Sequence, residues 1–431
     1  MEYLSRMDAR QIFDVCRLCR REEHMIDKTF WTGLSASALL VGGVLLGGSA
    51  AAADKAWLEK LEPRVLKLAD FSGDQNANFG RAMVEWEQAV TKFTNGKITF
   101  ENYWSSSLLN AVNTLDGVGD GVADIGLIIP TYYPQKLPVG AWLFGLGGAL
   151  SGSTVHDVAA GGAAALETVL TLQPLTDEYA SHNLKVMQAT STPAYNLLCN
   201  KPISSPEEAA GKRARAIGAV WSDTVTALGM TPVSIAWNES YEGLQRGVFD
   251  CMVINPNQYV DGLILKDVAP EYVPVTMAQL QASTWVMNLE AWNSFPVELQ
   301  NFMTEESVRA AANIWKGYLQ IEAKAGDLIA AGKEVHTNDV SKLEPLAKAQ
   351  REAAVAKLAS VAPPTVTDAQ GVVDNYLKRI AYWTDALVAE GYPVADRTPE
   401  AILKSFAGLR DVDLSDFSKK FNDEVTPKLK K

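Results

Sequence analysis

The sequence predicts an α/β fold with parallel strands, because segments with the apolar pattern of a strand alternate with segments that have the pattern of a helix. Residues 65–70 form a first predicted strand, and apolar residues then recur every three or four positions over 79–93, as on one face of a helix. A buried strand is predicted at 122–129. Further along, a helix at 221–229 ends on a glycine and leads into a strand at 231–237. Small ligands of such sheets bind in crevices at the strand ends.

The remaining predicted elements extend this alternation. Further strands are predicted at 98–101, 184–191, 195–199 and 283–289, and further helices at 108–118, at 238–247 and from about Val297. Residues 142–162 are rich in glycine, alanine and serine, and we expect a loop and the start of a helix there. The chain beyond Lys357 has a helical pattern with mixed charge.

The composition is that of a secreted globular protein and disfavours one large class of function. Of the 431 residues, 47% are hydrophobic and 21% are charged. A chain of this length is enough for two ordinary domains with a sizeable core. The chain has 39 Lys and Arg against 51 Asp and Glu, for a net charge of −12. A general nucleic-acid-binding protein needs a basic face that displaces counterions from phosphates. A small anionic ligand stays compatible, because a local arginine field can coexist with an acidic surface.

The N-terminus has the features of a secretory signal. An apolar run occupies residues 29–48, and three alanines that end at Ala53 offer an Ala-x-Ala cleavage site. We therefore predict that residues 1–53 are removed and that the mature protein is periplasmic. A start at Met25 would place Lys28 next to the apolar run, so Met25 is a second candidate for the first residue. The alternative is an uncleaved membrane anchor, although the glycine-rich run falls short of the ~20 apolar residues that a span needs.

Enzyme and metal-site signatures are missing from the sequence. It contains no His-Glu-x-x-His, no Gly-x-Ser-x-Gly elbow and no Walker loop. Cys16 and Cys19 have metal-ligand spacing but no second ligand pair nearby, so incidental spacing is the favoured interpretation. The histidines are scattered along the chain, at His24, His156, His182 and His336. We therefore predict no catalytic residue, no metal and no cofactor.

Residues 211–256 carry a resemblance to a known family. They contain, in order, Gly211-Lys-Arg-Ala-Arg215, Ala227-Leu-Gly-Met-Thr-Pro-Val233, Glu239-Ser-Tyr-Glu-Gly-Leu-Gln-Arg-Gly-Val-Phe-Asp250 and Asn255-Pro256. This order resembles the periplasmic solute receptors of tripartite ATP-independent periplasmic (TRAP) transporters, the DctP family. Upstream, residues 94–98 and 115–126 are similar to the first βαβ unit of the family, and the resemblance covers roughly 65–357. No single motif is specific, but their order and spacing together are.

The resemblance implies a two-lobed periplasmic-binding-protein fold. Each lobe would be a mixed sheet flanked by helices, and hinge strands and a long helix that braces both lobes would join them. For this chain we expect a signal segment at 1–53 and a first lobe formed by 64–191 together with 281–320. We expect a second lobe formed by 192–280 together with 321–374, and a helical C-terminal extension at 375–431.

The same resemblance implies a function in solute uptake. Such a receptor binds a small organic acid, closes its lobes around it and delivers it to integral-membrane transporter subunits. Two alternatives stay open on the sequence alone. One is a secreted enzyme that acts on a small acid in the same cleft, although no pair of catalytic carboxylates is favoured. The other is a rigid signalling or adhesion module.

Two residues of this chain match the centre of the family's binding site. Arg215 aligns with the arginine that forms a bidentate salt bridge to the ligand carboxylate, and its predicted place at a strand end suits that geometry. Asn255 matches the asparagine whose amide donates to the same carboxylate. An ordinary inter-lobe ion pair is the alternative for Arg215, and a simple turn before Pro256 is the alternative for Asn255.

The sequence departs from the family at two places that bear on the ligand. Several receptors have a further basic residue where this chain has Pro193-Ala194-Tyr195-Asn196, and the usual Glu-Asn-Pro is here Ile254-Asn255-Pro256. We therefore expect a ligand with one carboxylate and an uncharged remainder, with apolar and aromatic remainders among the candidates. Candidate pocket walls, each also a candidate for the core, are Tyr132, Tyr195, Trp221, Trp237 and Tyr259. Asp74 is a candidate for a polar ligand contact or for a helix cap.

Cys199 and Cys251 are the cysteines that remain once the signal segment is removed. Only one pairing is then possible, and the periplasm is oxidising. We favour a disulfide that joins two neighbouring strands. Two buried free thiols are the alternative, because cysteine also packs well as a small hydrophobic residue.

Overall fold

A computed structural model describes residues 56–150, 153–281, 283–394 and 399–430. The predicted signal segment, with the candidate start at Met25 and the pair Cys16 and Cys19, lies outside these residues. Within the described ranges the chain forms two mixed sheets flanked by helices.

The two sheets are built from strands that come from distant parts of the chain. The strands are β1 (Arg64–Ala69), β2 (Ile98–Tyr103), β3 (Ile125–Ile128), β4 (Leu184–Thr190), β5 (Tyr195–Cys199), β6 (Arg213–Arg215), β7 (Thr231–Val233), β8 (Cys251–Ile254), β9 (Glu271–Met277), β10 (Ser283–Asn288) and β11 (His336–Thr337). The first sheet has the order β2-β1-β3-β10-β4, and the second has the order β11-β9-β5-β8-β6-β7.

The first sheet combines a parallel and an antiparallel half. β1 lies parallel to β2 and β3, whereas β10 lies antiparallel to β3 and β4. All four residues of β3 and all six of β10 are buried, as expected for central strands covered on both faces. The strands predicted at 65–70, 98–101, 122–129, 184–191 and 283–289 are therefore confirmed, with ends that differ by a few residues.

The second sheet differs more from the prediction. β6 lies parallel to β7 and β8, and β5 lies antiparallel to β8 and β9. β9 was not among the predicted strands. The strand predicted at 231–237 is shorter than expected, because β7 ends at Val233 and Trp237 begins a 3-10 helix, Trp237–Glu239.

Helices cover both sheets and continue to the end of the described chain. They are α1 (Ala56–Lys60), α2 (Asn78–Phe93), α3 (Thr114–Gly119), α4 (Pro138–Leu143), α5 (Gly161–Thr171), α6 (Gln173–Ser181), α7 (Pro206–Ala209), α8 (Ala219–Ala227), α9 (Ser240–Gln245), α10 (Leu289–Asn293), α11 (Val297–Ala331), α12 (Glu344–Lys357), α13 (Ala369–Ala389), α14 (Pro399–Gly408) and α15 (Ser415–Leu429). In the described ranges no single helix has the length and apolar composition of a membrane span, and His156–Thr171 with Gln173–Ser181 meets that test only as a pair bent by 65°.

The helix predicted at 108–118 begins only at Thr114. The side-chain oxygen of Asn110 accepts hydrogen bonds from the backbone N–H groups of Val112 and Asn113, at 3.2 and 3.1 Å. Such side-chain to backbone bonds stabilise a turn in competition with a helix. The first helical turn expected there is therefore replaced by a loop.

Two buried segments carry the chain between the sheets, from β4 to β5 and from β9 to β10. They are tied to each other, because the backbone N–H of Thr192 donates to the carbonyl of Leu280 at 3.2 Å. In return, the Thr192 hydroxyl accepts from the backbone N–H of Leu280 at 3.1 Å, and Gln281 donates to the hydroxyl of Ser191. We call these two connections the hinge segments.

The long helix α11 packs against both halves of the structure. It contacts α2 and β4 on the side of the first sheet, and it contacts the 3-10 helix Pro256–Tyr259, which follows β8 of the second sheet. Its predicted packing residues Trp315, Leu319 and Ile321 are buried. The expectation of a long helix from about Val297 that braces both halves is confirmed.

The C-terminal helices fold back onto the helices of the first sheet. α13 packs on α5, and α14 and α15 pack on α11. Glu167 of α5 is the polar centre of this contact, because it accepts hydrogen bonds from Arg379 at 2.7 Å, Trp383 at 2.9 Å and Lys428 at 3.2 Å. The helical extension is therefore part of the folded body.

A disulfide joins Cys199, the last residue of β5, to Cys251, the first residue of β8. The two residues face each other in the antiparallel pair, with Cα atoms 4.0 Å apart. The predicted disulfide between neighbouring strands is confirmed, and the alternative of two free thiols is not.

Candidate functional site

A small cavity lies between the two sheets, where β1, β3 and β8 end. We call it the cleft cavity, and its volume is about 80 Å³. The carboxyl ends of strands are the expected place for a ligand in such sheets. Its walls include residues that follow β1 and β3, residues of the hinge segments, the first residue of β10 and residues that follow β8: Phe71, Ser72, Ile129, Thr192, Leu280, Ser283, Asn255, Asn257 and Gln258.

Arg215 ends β6 beside this cavity as a buried cation, with 3% of the residue exposed. Its Nε donates to the backbone carbonyl of Ile235 at 2.9 Å, and its Nη2 donates to the hydroxyl of Tyr132 at 3.1 Å. Both acceptors are neutral. In the described part of the chain no carboxylate lies within 4.0 Å of the guanidinium to form an ion pair. Because a buried charge is favourable only when it is paired, this arrangement is suited to receive an anion.

The contact between Arg215 and Tyr132 links the two halves of the structure. Tyr132 ends a 3-10 helix, Pro130–Tyr132, that directly follows β3 of the first sheet, whereas Arg215 belongs to the second sheet. The Tyr132 ring packs edge-on against Phe71, with ring centroids 6.1 Å apart. Arg215 also contacts Trp237: its Cζ lies 6.0 Å from the ring centroid of Trp237, within the range of a cation–π contact.

Two polar atoms in the wall of the cleft cavity are buried without a hydrogen-bond partner among the described residues. They are the side-chain oxygen of Asn255 and the hydroxyl of Ser283. Asn255 is 3% exposed and directly follows β8. Buried polar atoms in proteins are nearly always paired, so these two atoms mark places where polar groups of a ligand can bind.

The structure brings five of the eight predicted ligand-binding residues together. Tyr195, Trp237 and Asn255 line the cleft cavity. Arg215 and Tyr132 are not in its wall, but each contacts a residue that is, through the Trp237 and Phe71 rings. These five residues form the candidate site.

The other three predicted residues do not line the cleft cavity. Asp74 is exposed, and its carboxylate accepts hydrogen bonds from two backbone N–H groups just before α2. Trp221 is buried behind Tyr195, on which it stacks with ring centroids 4.5 Å apart. Tyr259 is fully buried and packs edge-on against Tyr272 at 6.4 Å. Capping and core packing account for these three positions.

Several wall residues escaped the sequence analysis. Phe79 lies on the apolar face of the helix predicted at 79–93; it packs against the core and also lines the cleft cavity, with its ring edge-on to Tyr318 at 5.9 Å. Asn78, Gln258 and Asp261 also line the cavity. Tyr318 follows Trp315 of the predicted packing face by three residues on α11, so its spacing in sequence is that of a core residue.

Two buried carboxyl groups adjoin residues of the cavity wall. Burial raises the pKa of Asp70 to about 6, although two hydrogen bonds from Ser72 act in the opposite direction. Burial also raises the pKa of Glu322 to about 8, against a hydrogen bond from the backbone N–H of Asn257. Within the described ranges no three His, Cys, Asp or Glu side chains are grouped as ligands for a metal ion.

A protein-family model matches the part of the chain that forms this architecture. The family model for bacterial extracellular solute-binding proteins, family 7, also called DctP, matches residues 69–361, which is more than half of the 431 residues. The chain belongs to this family. The match begins at the last residue of β1, includes the other ten strands of the two sheets and ends before α13, α14 and α15. DctP proteins are the extracytoplasmic solute-binding proteins of TRAP transporters, so the family expected from the sequence is confirmed.

Two curated relatives are similar in sequence. A solute-binding protein of Sulfitobacter sp. strain NAS-14.1 is 25% identical over 274 residues, which is 62% of this chain and 79% of the relative. The ectoine-binding periplasmic protein TeaA of Halomonas elongata is 31% identical over 93 residues, which is 21% of this chain and 27% of TeaA.

Solved structures of DctP and TRAP solute-binding proteins share the fold. A Bordetella pertussis extracytoplasmic solute receptor binding pyroglutamic acid superposes with a TM-score of 0.63 at 18% identity, over 73% of this chain and 99% of that one. A TRAP solute-binding protein of Bordetella bronchiseptica with bound mandelate gives 0.64 at 17% identity, over 74% and 99%. The Halomonas elongata ectoine-binding protein gives 0.62 at 17% identity, over 74% and 100%. The predicted two-lobed fold is confirmed.

Proposed function

We propose that this TRAP solute-binding protein is the receptor for a small monocarboxylic acid and that Arg215 binds the ligand's carboxylate. The observation that carries the proposal is a buried guanidinium with two neutral acceptors and no acidic partner in the described chain. A carboxylate would neutralise this charge, and the planar guanidinium can hold it through two parallel hydrogen bonds. The buried, unpaired side-chain oxygen of Asn255 would accept a hydrogen bond from an N–H or O–H group elsewhere on the ligand.

The wall of the cleft cavity favours a ligand with a single negative charge. Asp261 is the titratable carboxyl in that wall, and no Lys, Arg or His from the described residues lines it. A second carboxylate would therefore be buried without a cation, at a cost of several kcal/mol. The solved relatives whose ligands are pyroglutamate, mandelate and galacturonate bind acids with one carboxylate, which supports the same ligand class here.

The proposed mechanism is closure of two lobes around the acid. We propose that the parts at 64–191 with 281–320 and at 192–280 with 321–374 move against each other about the hinge segments. Arg215 and Tyr132 come from opposite lobes, so an acid at Arg215 contacts both lobes and favours the closed form. The closed form then delivers the acid to the membrane subunits of the transporter, after export and removal of 1–53.

The test compares two arginines of the same strand. Arg213 is exposed and donates to the carbonyl of Gly247 at 2.6 Å, so it shares the local sequence of Arg215 but not its burial. Isothermal titration with a panel of monocarboxylates that includes pyroglutamate, mandelate and galacturonate should give at least one ligand. Arg215→Met should weaken that ligand by about thirtyfold or more, since an unpaired carboxylate would remain. Arg213→Met should leave affinity unchanged, and equal losses in the two variants would refute the role of Arg215.

A further inference from the structure

A second and much larger cavity adjoins Tyr132. Its volume is about 960 Å³, and we call it the apolar cavity. No charged side chain of the described residues lines it, and the indole N–H of Trp142 in its wall already donates to the carbonyl of Leu358 at 2.8 Å. Its remaining polar side chains are the hydroxyls of Thr131, Tyr132, Ser234 and Thr365.

Three parts of the chain build the apolar cavity. One part is α4 with Phe144, and a second part is residues 217–220 at the start of α8. The third part is residues 361–365 with Leu358. The match to the family model ends at residue 361, so most of this third part lies beyond the part of the chain that the family model describes.

Tyr132 connects the two cavities. Its side chain lines the apolar cavity, and its hydroxyl accepts the hydrogen bond from Arg215 at 3.1 Å. Its ring contacts Phe71, which lines the cleft cavity. A carboxylate that takes the place of the Tyr132 hydroxyl at Arg215 therefore leaves the rest of the ligand next to the apolar cavity.

Two apolar side chains that line the apolar cavity are exposed to solvent. Val361, at 66%, is the most exposed large hydrophobic residue in the described chain, and Val112, at 46%, lines the same cavity. Contiguous exposed apolar surface in a soluble protein often marks a place where a ligand or partner binds. A hydrocarbon group in the cavity would remove both side chains from water.

We propose that the solute is an amphipathic monocarboxylate, whose alkyl or aryl tail lies in the apolar cavity while its carboxylate pairs with Arg215. The proposal rests on the carboxylate-binding role of Arg215 and adds the chemical class of the remainder. The volume lies in the range of about 300–1,000 Å³ that is usual for small-molecule pockets. Each buried methylene should raise affinity by about fourfold, because its transfer from water is favourable.

The experiment is titration of the protein without residues 1–53, in a buffer without carboxylates. The ligands are acetate, butanoate, hexanoate and octanoate, and each is compared with its primary amide. Affinity for the acids should rise by about fourfold per methylene, and the amides should bind much more weakly. Ala219→Trp places an indole in the cavity wall and should lower the octanoate-to-butanoate affinity ratio at least tenfold. Ala227→Trp is the matched control, because Ala227 is an exposed alanine of the same helix outside the cavity wall, and it should keep the ratio.

The outcomes separate this inference from the proposed function. If short acids bind in a manner that Arg215→Met abolishes but affinity does not rise with chain length, the amphipathic ligand is refuted and the acid receptor stands. If the ratio falls equally in Ala219→Trp and Ala227→Trp, the tail does not lie in the apolar cavity. If no alkanoate binds but pyroglutamate, mandelate or galacturonate does, the amphipathic ligand is refuted and the acid receptor stands. If acids and amides bind equally, or no acid of either set binds, both proposals are refuted.

Discussion

Replacement of Arg215 by methionine should make the ligand-free protein more stable, although it removes a large buried side chain. The guanidinium is 3% exposed and forms two hydrogen bonds to neutral oxygens. Hydrogen bonds to charged groups contribute about 1.5–3 kcal/mol each, whereas burial of an unpaired ion costs several kcal/mol. Methionine fills a similar volume, and Ile235 and Tyr132 are only half-buried, so water can reach the acceptors that Arg215 leaves. Replacement of buried ionic groups by apolar side chains of similar volume often raises stability by about 1–4 kcal/mol, so we expect the free energy of unfolding to rise by about 1–3 kcal/mol.

Arg351 provides the matched control for this prediction. It is equally buried, at 2% exposed, but it pairs with the carboxylate of Glu344 at 3.2 Å and donates to the carbonyl of Thr276. Arg351→Met leaves a carboxylate without its cation and should lower the free energy of unfolding by about 3–5 kcal/mol. Urea unfolding without ligand measures both variants. If Arg215→Met destabilises the protein as much as Arg351→Met does, Arg215 is a structural residue and the reasoning about its unpaired charge is wrong.

Three further predictions concern the disulfide, a buried acid and the C-terminal extension. Cys199→Ala with Cys251→Ala should lower the free energy of unfolding by about 2–4 kcal/mol, because the disulfide closes a sequence separation of 52 residues; the wild type in reductant should show the same loss in urea. The pKa of Glu322 is raised from 4.5 to about 8, so the folded state holds the proton more tightly and stability should fall as pH rises through this range. Glu322→Gln should flatten that dependence in urea unfolding at pH 5–8, and an unchanged slope would contradict the raised pKa. The Tyr376 hydroxyl donates to buried Gln281 in a hinge segment at 2.5 Å, so Tyr376→Phe should cost about 1–3 kcal/mol in the same assay, and no loss would show that the bond is unimportant.

Proline distinguishes β9, which the sequence does not predict, from three of the strands that it does predict. β1, β4 and β10 contain no proline, whereas β9 contains Pro274, which argues against a strand interior. The structure explains the exception. The outer neighbour of β9 is β11, which pairs only with Glu271 and Tyr272, so one edge of β9 has no strand partner in the described chain at Pro274. A missing N–H is tolerated at such an edge.

The candidate site was predictable only where sequence order carries information. Arg215 and Asn255 stand in motifs whose spacing resembles the family, so both could be named from the sequence. Asn78 and Tyr318 belong to two helices far apart in the chain and meet at the cleft cavity through tertiary packing. The hydrophobic period of α11 gives Tyr318 the same pattern as its core neighbours. Which apolar residues face a cavity and which face the core is decided by packing, which a single sequence does not record.

Thermal unfolding with paired ligands shows whether an acid binds through its carboxylate at Arg215. The processed wild-type protein would be heated with pyroglutamate, mandelate and hexanoate, and with the primary amide of each acid. At a hundredfold excess over Kd a ligand stabilises the folded state by about 2.7 kcal/mol, which is visible as a higher Tm. A rise in Tm with at least one acid and not with its amide is the predicted result. Equal rises with acid and amide, or none with any acid, would contradict carboxylate recognition by Arg215.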